Sequence, residues 1–198
     1  ALNFLLESQR GQRRSVRPKV VVIGGGDVAM DSARTCLRLG AEEVTILYRR
    51  SREEMPAADE EIREAMEEGV RFQFLVAPKR FLGLRRLDAI ELQQMILGPP
   101  DESGRRKPIP ANADPIMLRT DMALVAVSQE ADLEVLPLDL NIKLGKDGTL
   151  EADPKTGATA RPGVYAGGGA SVVHAMAAGK RAALAMDAYL MEKKSKAA

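Results

Sequence analysis

The hydrophobic pattern near the start of the chain predicts a strand, a helix and a second strand in succession. Residues 19–23 form a run of mostly β-branched residues, which is typical of a strand buried on both faces. Residues 27–39 carry small apolar side chains, such as Ala29 and Ala33, at helical spacing on one face. A second apolar run follows at residues 44–48. This order and spacing predict a βαβ unit with parallel strands.

The pattern continues with one more helix and strand and then changes. Residues 56–69 have an apolar stripe and predict a helix, and residues 70–76 predict a third strand. Residues 84–97 show partial alternation, which favours antiparallel strands. Residues 98–115 are rich in proline, glycine and polar residues and predict a long turn within this antiparallel excursion. Residues 121–127 predict a return to a buried strand.

The last third of the chain predicts a second, smaller domain. It contains a hairpin turn at Asp147–Gly148, a strand over residues 160–169 that ends in three glycines, and a long helix over residues 171–191. The predicted fold class is α/β. A Rossmann-like domain, residues 1–137, has a parallel sheet and an antiparallel excursion, and a smaller domain, in which the order strand, glycine run and helix recurs, follows at residues 138–198.

Charge and composition narrow the classes of function. The formal net charge is +1, so no global field draws the chain to nucleic acid or to a membrane surface. Cys36 is the only cysteine, which excludes an internal disulfide and an iron–sulfur cluster held within this chain. His174 is the only histidine, and no metal site is predicted. These features fit a cytoplasmic, reducing setting.

The glycines after the first predicted strand carry the main chemical signal. Gly24 allows a sharp turn, Gly26 lets the backbone approach a pyrophosphate, and Ala29 stands where a third small residue lets the helix pack on the strand. The first N–H groups of the helix are free to bind phosphates. We therefore predict that a dinucleotide is bound here. The alternative is a tight turn of the same shape in an unrelated α/β protein. The predicted phosphate-binding residues are Gly24, Gly25, Gly26, Asp27 and Val28.

Arginines at the end of the second predicted strand indicate which dinucleotide is bound. An NAD site commonly has an acidic residue at this position, whereas a 2′-phosphate requires cations. The chain instead has Arg49, Arg50 and Arg52. Guanidinium groups match the geometry of a phosphate. The sequence therefore predicts NADPH rather than NADH, and the alternative is a basic surface loop unconnected with any ligand.

Several stretches of the chain resemble a known family. GGGDVAMDSAR, LGAEEVTILYRRSREEMPA and EEIREAMEEGVRF are similar to the NADPH-binding domain of glutamate synthase small (β) subunits and of related NADPH-dependent flavin and iron–sulfur oxidoreductases. DESGRRKPIP and the C-terminal stretch that begins RPGVYAGGG also resemble this family. The resemblance covers nearly the whole chain, and the combination of the first two stretches is its most specific part.

The resemblance implies an electron-input role. Hydride would pass from NADPH to FAD, and electrons would go on to iron–sulfur clusters and to a large catalytic subunit or another electron-accepting subunit. The protein would bind and orient NADPH, so no catalytic acid or base is expected in this chain. The resemblance implies a role for each motif. The pyrophosphate would be bound by Gly24, Gly26, Asp27 and Val28, and the ribose side would be ordered by Asp31. The 2′-phosphate would be bound by Arg49, Arg50 and Arg52, and the FAD domain would include Gly167, Gly168 and Gly169.

The chain also departs from the family pattern. No second glycine motif and no cysteine-rich segment precede Gly24. The late glycine run is followed by Ala170 and Ser171, without the Asp and the longer loop usual in the family, and residues 126–129 read Ala-Val-Ser-Gln where the family often has Ala-Ile-Gly-Gln. These departures predict an incomplete flavin site in a fragment, a split subunit or a trimmed protein. Two alternatives stay open, a self-contained NADP-dependent dehydrogenase and a nucleotide-binding domain without activity.

Overall fold

Strands and helices alternate along the first third of the chain and give way to antiparallel strands. The computed structural model describes residues 1–11, 15–101, 104–127, 133, 136, 142–145, 148–169 and 171–197. Its elements, in chain order, are α1 (Leu2–Gln9), β1 (Lys19–Ile23), α2 (Asp27–Arg38), β2 (Glu43–Tyr48), a 3₁₀ helix (Arg52–Glu54), α3 (Asp59–Glu67), β3 (Arg71–Phe74), β4 (Val76–Leu82), β5 (Ala89–Pro100), β6 (Arg106–Pro110), β7 (Ile116–Arg119), β8 (Met122–Val125) and α4 (Val172–Ala197).

The chain divides into two units, Ala1–Ser128 and Gln129–Ala198. The predicted boundary at residue 137 lies outside the described residues. The predicted α/β fold is confirmed in the first unit, where a parallel sheet is followed by an antiparallel excursion.

The parallel sheet has the strand order β3-β2-β1-β8. The strand β1 pairs in parallel with β2 on one edge and with β8 on the other. All three of the strands predicted before the excursion are present in this sheet. The fourth, predicted as a buried strand over residues 121–127, is a shorter edge strand in which Leu124 is buried and Val125 is exposed.

Both faces of the parallel sheet are covered, which explains its continuous apolar runs. On one face, Val20 and Val22 pack with the helices in a cluster that includes Met30 and Ile62. On the other face, Val21 and its neighbours pack against the antiparallel strands in a second cluster, with Ile23, Leu47, Val76, Ile90 and Leu92. The first unit is therefore built as three layers: helices, parallel sheet and antiparallel sheet.

The long strand β5 organises the antiparallel excursion. It pairs with β4, β6 and β7. The prediction of a long turn over residues 98–115 is wrong, because β5 runs on to Pro100 and β6 returns from Arg106. Among the described strands, β6 lies at an edge and pairs with β5 alone, so its prolines do not interrupt a ladder on both sides.

The backbone changes sheets at Leu75, between β3 and β4. Leu75 has a φ of 56°, in the left-handed region that favours glycine, and it is the described non-glycine residue that adopts a positive φ. Its N–H donates to the carbonyl of Arg50 at 3.2 Å, and its carbonyl accepts from the N–H of Met95 at 2.8 Å. The predicted strand over residues 70–76 therefore ends at Phe74, and Val76 already belongs to the antiparallel sheet.

The described part of the second unit contains one long helix and little regular strand. The predicted helix over residues 171–191 is confirmed and longer, as α4. The predicted strand over residues 160–169 is limited to a single bridge between Ala158 and Tyr165. A bridge between Leu144 and Leu150 flanks the predicted hairpin turn, in which Asp147 lies outside the described residues. In the part of the chain that the structure describes, no helix has the length and apolar character needed to cross a membrane.

A buried carboxylate joins two strands of the antiparallel sheet. Glu91 on β5 is 4% exposed, and its carboxylate accepts from Lys79 Nζ at 3.0 Å and from Arg80 Nε at 2.8 Å on β4. Donation from Arg80, and then from Lys79, holds the pKa of Glu91 below its usual range. A carboxylate with a lowered folded-state pKa adds stability above its unfolded-state pKa and loses it as the pH falls.

The substitution Glu91→Gln should therefore make stability less dependent on acid pH. The free energy of unfolding of the wild-type chain should fall between about pH 5 and pH 3 by more than that of the variant. At neutral pH the variant should be the less stable protein, because two cations lose their partner. Urea unfolding across this pH range measures the difference. Glu42→Gln, which removes an exposed carboxylate, is the control, and equal pH slopes for Glu91→Gln and the wild type would contradict the assignment.

Candidate functional site

Gly24 lies between the ends of the neighbouring strands β2 and β8. Its φ is +146°, and a Cβ at this position would lie 2.2 Å from the carbonyl oxygen of Ala126. Its N–H donates to the carbonyl of Leu47 at 3.1 Å. The first glycine of the motif is therefore required by the sheet itself, because the chain leaves β1 through a gap with no room for a side chain.

Gly25 contacts the ring of Tyr48, the last residue of β2. A Cβ on Gly25 would lie 2.5 Å from Cδ2 and from Cε2 of that ring. The hydroxyl of Tyr48 donates to the carbonyl of Glu54 at 2.7 Å. One aromatic side chain thus contacts both the glycine turn and the loop that carries the arginines, so the two predicted halves of the site are adjacent.

Gly26 is the position at which the turn is open. An added Cβ would meet only Cγ of Pro56, at 3.8 Å. Gly26 caps α2, and its carbonyl accepts from the N–H of Ala29 at 2.8 Å. The N–H groups of Asp27 and Val28 begin the helix and have no acceptor among the described residues. Such a helix start offers donors and a positive dipole end to an anion.

The two acidic residues of this turn have different surroundings. Asp27 accepts from the N–H of Ala58 through Oδ1 at 3.2 Å, so its carboxylate links the start of α2 to the start of α3. Asp31, one turn further along α2, is exposed. The structure therefore puts Asp31 beside the helix start and leaves its carboxylate available, whereas Asp27 already has a protein partner.

A capping box shapes the arginine loop. The N–H and the hydroxyl of Ser51 donate to Oε2 of Glu54 at 3.1 and 2.6 Å. This fixes the 3₁₀ helix in which Arg52 stands. Arg52 Nη2 lies 3.2 Å from Oδ1 of Asp59, and its Nη1 is buried without an acceptor among the described residues. A buried guanidinium nitrogen without an acceptor is costly unless a further anion or water supplies one.

Arg50 has a different environment from its neighbours. It is 5% exposed, its Nη2 pairs with Oδ2 of Asp101 at 2.5 Å, and its Nε donates to the carbonyl of Arg106 at 2.7 Å. Both partners belong to the β5–β6 hairpin. Arg50 therefore ties the end of β2 to that hairpin, a role that the sequence did not predict because these partners are distant in the chain.

Arg49 is exposed and opens onto a cleft. Among the described residues it has no hydrogen-bonding or ionic partner. The cleft has a volume of about 560 Å³, and its lining residues are Arg49, Arg50, Pro100, Asp101, Lys107 and Pro108. Sequence reasoning missed Lys107 because it lay in the segment predicted as a long turn. Its signal was the run Arg105-Arg106-Lys107, which was not given a function.

The glycine run of the second unit is explained mostly by packing on its own helix. A Cβ on Gly169 would lie 2.5 Å from Cβ of His174, and one on Gly167 would lie 3.2 Å from Cβ of Ala178. Only Gly168 has nothing within 4 Å. The hydroxyl of Ser171 lies 2.7 Å from Nδ1 of His174 at the exposed start of α4. This run of three glycines therefore supplies one open glycine rather than a complete cradle.

Other groups with potential chemistry lie away from the glycine turn or in the core. Cys36 is buried in the helix cluster, and burial raises the pKa of its thiol to about 12, so it stays protonated near neutrality. Within the described ranges, no three His, Cys, Asp or Glu side chains are grouped closely enough to hold a metal ion.

Comparison with known proteins gives a consistent result. Residues 2–188 match the profile of a family described as pyridine nucleotide-disulphide oxidoreductase. The chain is 46% identical over 198 residues to the NADP(+)-dependent formate dehydrogenase subunit beta of Moorella thermoacetica, covering 96% of this chain and 28% of that protein. It is 36% identical over 191 residues to the glutamate synthase [NADPH] small chain of Azospirillum brasilense, covering 93% of this chain and 40% of that protein.

The fold is also similar to that of a solved reductase. FprA from Mycobacterium tuberculosis in complex with NADPH superposes with a TM-score of 0.72 at 16% identity, over 95% of this chain and 56% of that one. At this identity the similarity concerns the fold alone. The resemblance to glutamate synthase small subunits is confirmed at the level of the family, and the chain spans less than half the length of the two curated relatives.

Substitutions at Gly24 and Gly26 should differ in their effect on stability. Gly24→Ala puts a Cβ into the carbonyl of Ala126 at a backbone angle unfavourable to alanine, so we expect a loss of more than about 2 kcal/mol. Gly26→Ala introduces only ordinary contacts and should change the free energy of unfolding by no more than about 0.5 kcal/mol. Urea unfolding measures both values, and equal losses would show that the turn is not open at Gly26.

Proposed function

Because the chain belongs to the pyridine nucleotide-disulphide oxidoreductase family, we propose that its first unit binds NADPH and that the chain is the electron-input module of a flavoprotein oxidoreductase. The single observation that carries this proposal is the contact between Gly25 and Tyr48, which joins an open phosphate turn to a loop of arginines. The conclusion is that both ends of one dinucleotide are bound here, with the pyrophosphate at the turn and the adenosine 2′-phosphate at the loop.

The glycine turn would bind the pyrophosphate. Gly26 leaves space in front of the backbone, and the N–H groups of Asp27 and Val28 are available as donors. Each such bond to an anion is stronger than a bond between neutral groups. Asp31 is near enough along α2 to order the ribose side of the ligand, as the family resemblance implies. The residues present therefore fit a bound dinucleotide.

The arginine loop would bind the 2′-phosphate. Arg49 is exposed without a described partner, and Arg52 has a buried nitrogen without an acceptor. A phosphate dianion supplies acceptors for the exposed Arg49, and for Arg52 once its side chain turns away from Asp59, whereas NADH does not carry this group. Arg50 was predicted as a third ligand, but its Nη2 and Nε are already used by the hairpin. We therefore propose that Arg50 positions the loop and that Arg49 and Arg52 contact the phosphate.

The remaining electron path is proposed from the relatives. NADPH held by this chain would supply a hydride, and an FAD bound largely by other sequence would receive it before the electrons passed to iron–sulfur centres and a partner subunit, either a large catalytic subunit or another acceptor. The Moorella relative is named as a formate dehydrogenase subunit and the Azospirillum relative as a glutamate synthase small chain. This chain contributes binding and orientation, and no acid or base of its own is assigned to a chemical step. A cytoplasmic setting is part of the same proposal.

The described glycines of the second unit do not form a flavin site by themselves. In the run at residues 167–169, a side chain at Gly167 or Gly169 would meet α4, and only Gly168 is open. We therefore propose that most of the flavin site lies outside the 198 residues.

The substitution Arg49→Ala should reduce selectivity for NADPH. Loss of a charged contact to the 2′-phosphate should raise the Kd for NADPH about tenfold, because such a contact is worth about 1.5–3 kcal/mol before solvent screening, while the Kd for NADH should stay unchanged. Isothermal titration calorimetry with both cofactors measures the two constants.

Two further variants control this measurement. Arg85→Ala removes an exposed arginine from the β4–β5 turn and should alter neither constant. Gly26→Ala should weaken the binding of NADPH and of NADH to a similar degree, because both contain the pyrophosphate. If Arg49→Ala weakens the binding of both cofactors, or of neither, the proposed 2′-phosphate site is contradicted.

The purified chain should bind NADPH without retaining flavin. We expect no visible flavin absorption band in the isolated 198-residue protein, and none retained after addition and removal of FAD, because only one glycine of the late run is open. Visible absorption spectroscopy before and after these steps measures this. A retained band that NADPH bleaches would contradict this expectation, and turnover of an alcohol or ketone without flavin would instead favour a self-contained dehydrogenase.

A further inference from the structure

We propose that Lys107, on the antiparallel hairpin, is a further specificity-determining cation for the 2′-phosphate, beside Arg49 and Arg52. The proposal rests on the proposed NADPH site and extends it. The parallel sheet would supply Arg49 and the antiparallel excursion would supply Lys107, so selectivity for the phosphorylated cofactor would depend on both sheets. Neither the glycine turn nor the arginine motif contains this residue.

The two cations line one cleft. Arg49 follows the last residue of β2, and Lys107 is the second residue of β6. Both are exposed, and neither has a described hydrogen-bonding or ionic partner. Two long cationic side chains that line one cleft of about 560 Å³ and have no described protein partner are suited to bind a compact dianion there.

The cleft contains a carboxylate, and its charge is already offset. Asp101 also lines the cleft, and its Oδ2 pairs with Nη2 of the buried Arg50 at 2.5 Å. Three cations and one carboxylate leave a net charge of +2 on the lining, which matches the charge of a phosphate near neutrality. The ion pair therefore makes the hairpin part of the site without leaving an unbalanced negative charge in it.

The backbone of the hairpin is fixed next to Lys107. The Nε of Arg50 donates to the carbonyl of Arg106, the residue directly before Lys107, at 2.7 Å. The guanidinium of Arg106 donates back across the hairpin to the carbonyl of Leu97 at 2.9 Å. A Cβ on Gly98 would lie 2.4 Å from Ile109 Cδ1, so the two strands are in close contact here. Lys107 therefore projects from a fixed backbone, which lowers the entropy lost when it meets an anion.

The test uses two small probes that isolate the 2′-phosphate. Calorimetric titration of the 198-residue chain gives one dissociation constant for 2′,5′-ADP and one for 5′-AMP. The two probes differ only in the 2′-phosphate. In Lys107→Ala, we expect the Kd for 2′,5′-ADP to rise about tenfold and the Kd for 5′-AMP to stay unchanged. Lys107→Arg should restore binding of 2′,5′-ADP, and Lys107→Glu should weaken it further.

The matched control removes the same charge from the same sheet. Arg119 is exposed on β7, which pairs with the opposite end of β5. Arg119→Ala should change the Kd for 2′,5′-ADP by less than about twofold, because exposed charges more than a Debye length apart are largely screened. Equal effects of Arg119→Ala and Lys107→Ala would overturn the proposal, since a general loss of charge would then explain both.

The remaining outcomes separate this proposal from the proposed function. If the wild-type chain prefers 2′,5′-ADP over 5′-AMP and Lys107→Ala keeps that preference, the role of Lys107 is overturned and the NADPH site stands. If Lys107→Ala weakens both probes equally, Lys107 acts on the fold and the proposal is overturned. If the wild-type chain has no preference, the NADPH assignment itself fails, and the role of Lys107 fails with it.

Discussion

The candidate site depends on the contact between Gly25 and the ring of Tyr48. The ring occupies the space that a side chain at residue 25 would need, and its hydroxyl holds the carbonyl of Glu54. The glycine turn therefore cannot move without the end of β2, and the end of β2 cannot move without the arginine loop. The capping box between Ser51 and Glu54 completes this chain of contacts. Two motifs that are separate in the sequence thereby become one surface.

The sequence predicted the parallel part of the fold well because its signals are local. A β-branched run buried on both faces, a glycine turn and an amphipathic helix each follow from a few adjacent residues. The strand β6 and the end of β5 were missed for a physical reason. Pro108 and Pro110 read as turn residues, but they lie on an edge strand where a missing N–H is tolerated. Composition alone does not distinguish these two settings.

The candidate site, like the fold, was predictable from the sequence only where its signals are local. The open turn and the exposed Arg49 follow from motif and spacing. The separate role of Arg50 does not, because Asp101 and Arg106 reach it only through the folding of the antiparallel excursion. Lys107 was missed for the same reason. Residues that a local motif names are found from sequence, whereas residues that a distant strand brings to the motif are found only from structure.

The hairpin that carries Lys107 has a consequence for how such chains diverge. Lys107 is exposed and belongs to neither hydrophobic cluster, so its replacement disturbs no packing. In contrast, a side chain at Gly24 would clash with the backbone, and one at Gly25 would clash with an aromatic ring. Under the proposed role of Lys107, natural selection could act on the choice of cofactor at the hairpin almost independently of its action on the fold. Descendants of one such protein could then drift between cofactor preferences while their glycine turn stayed the same.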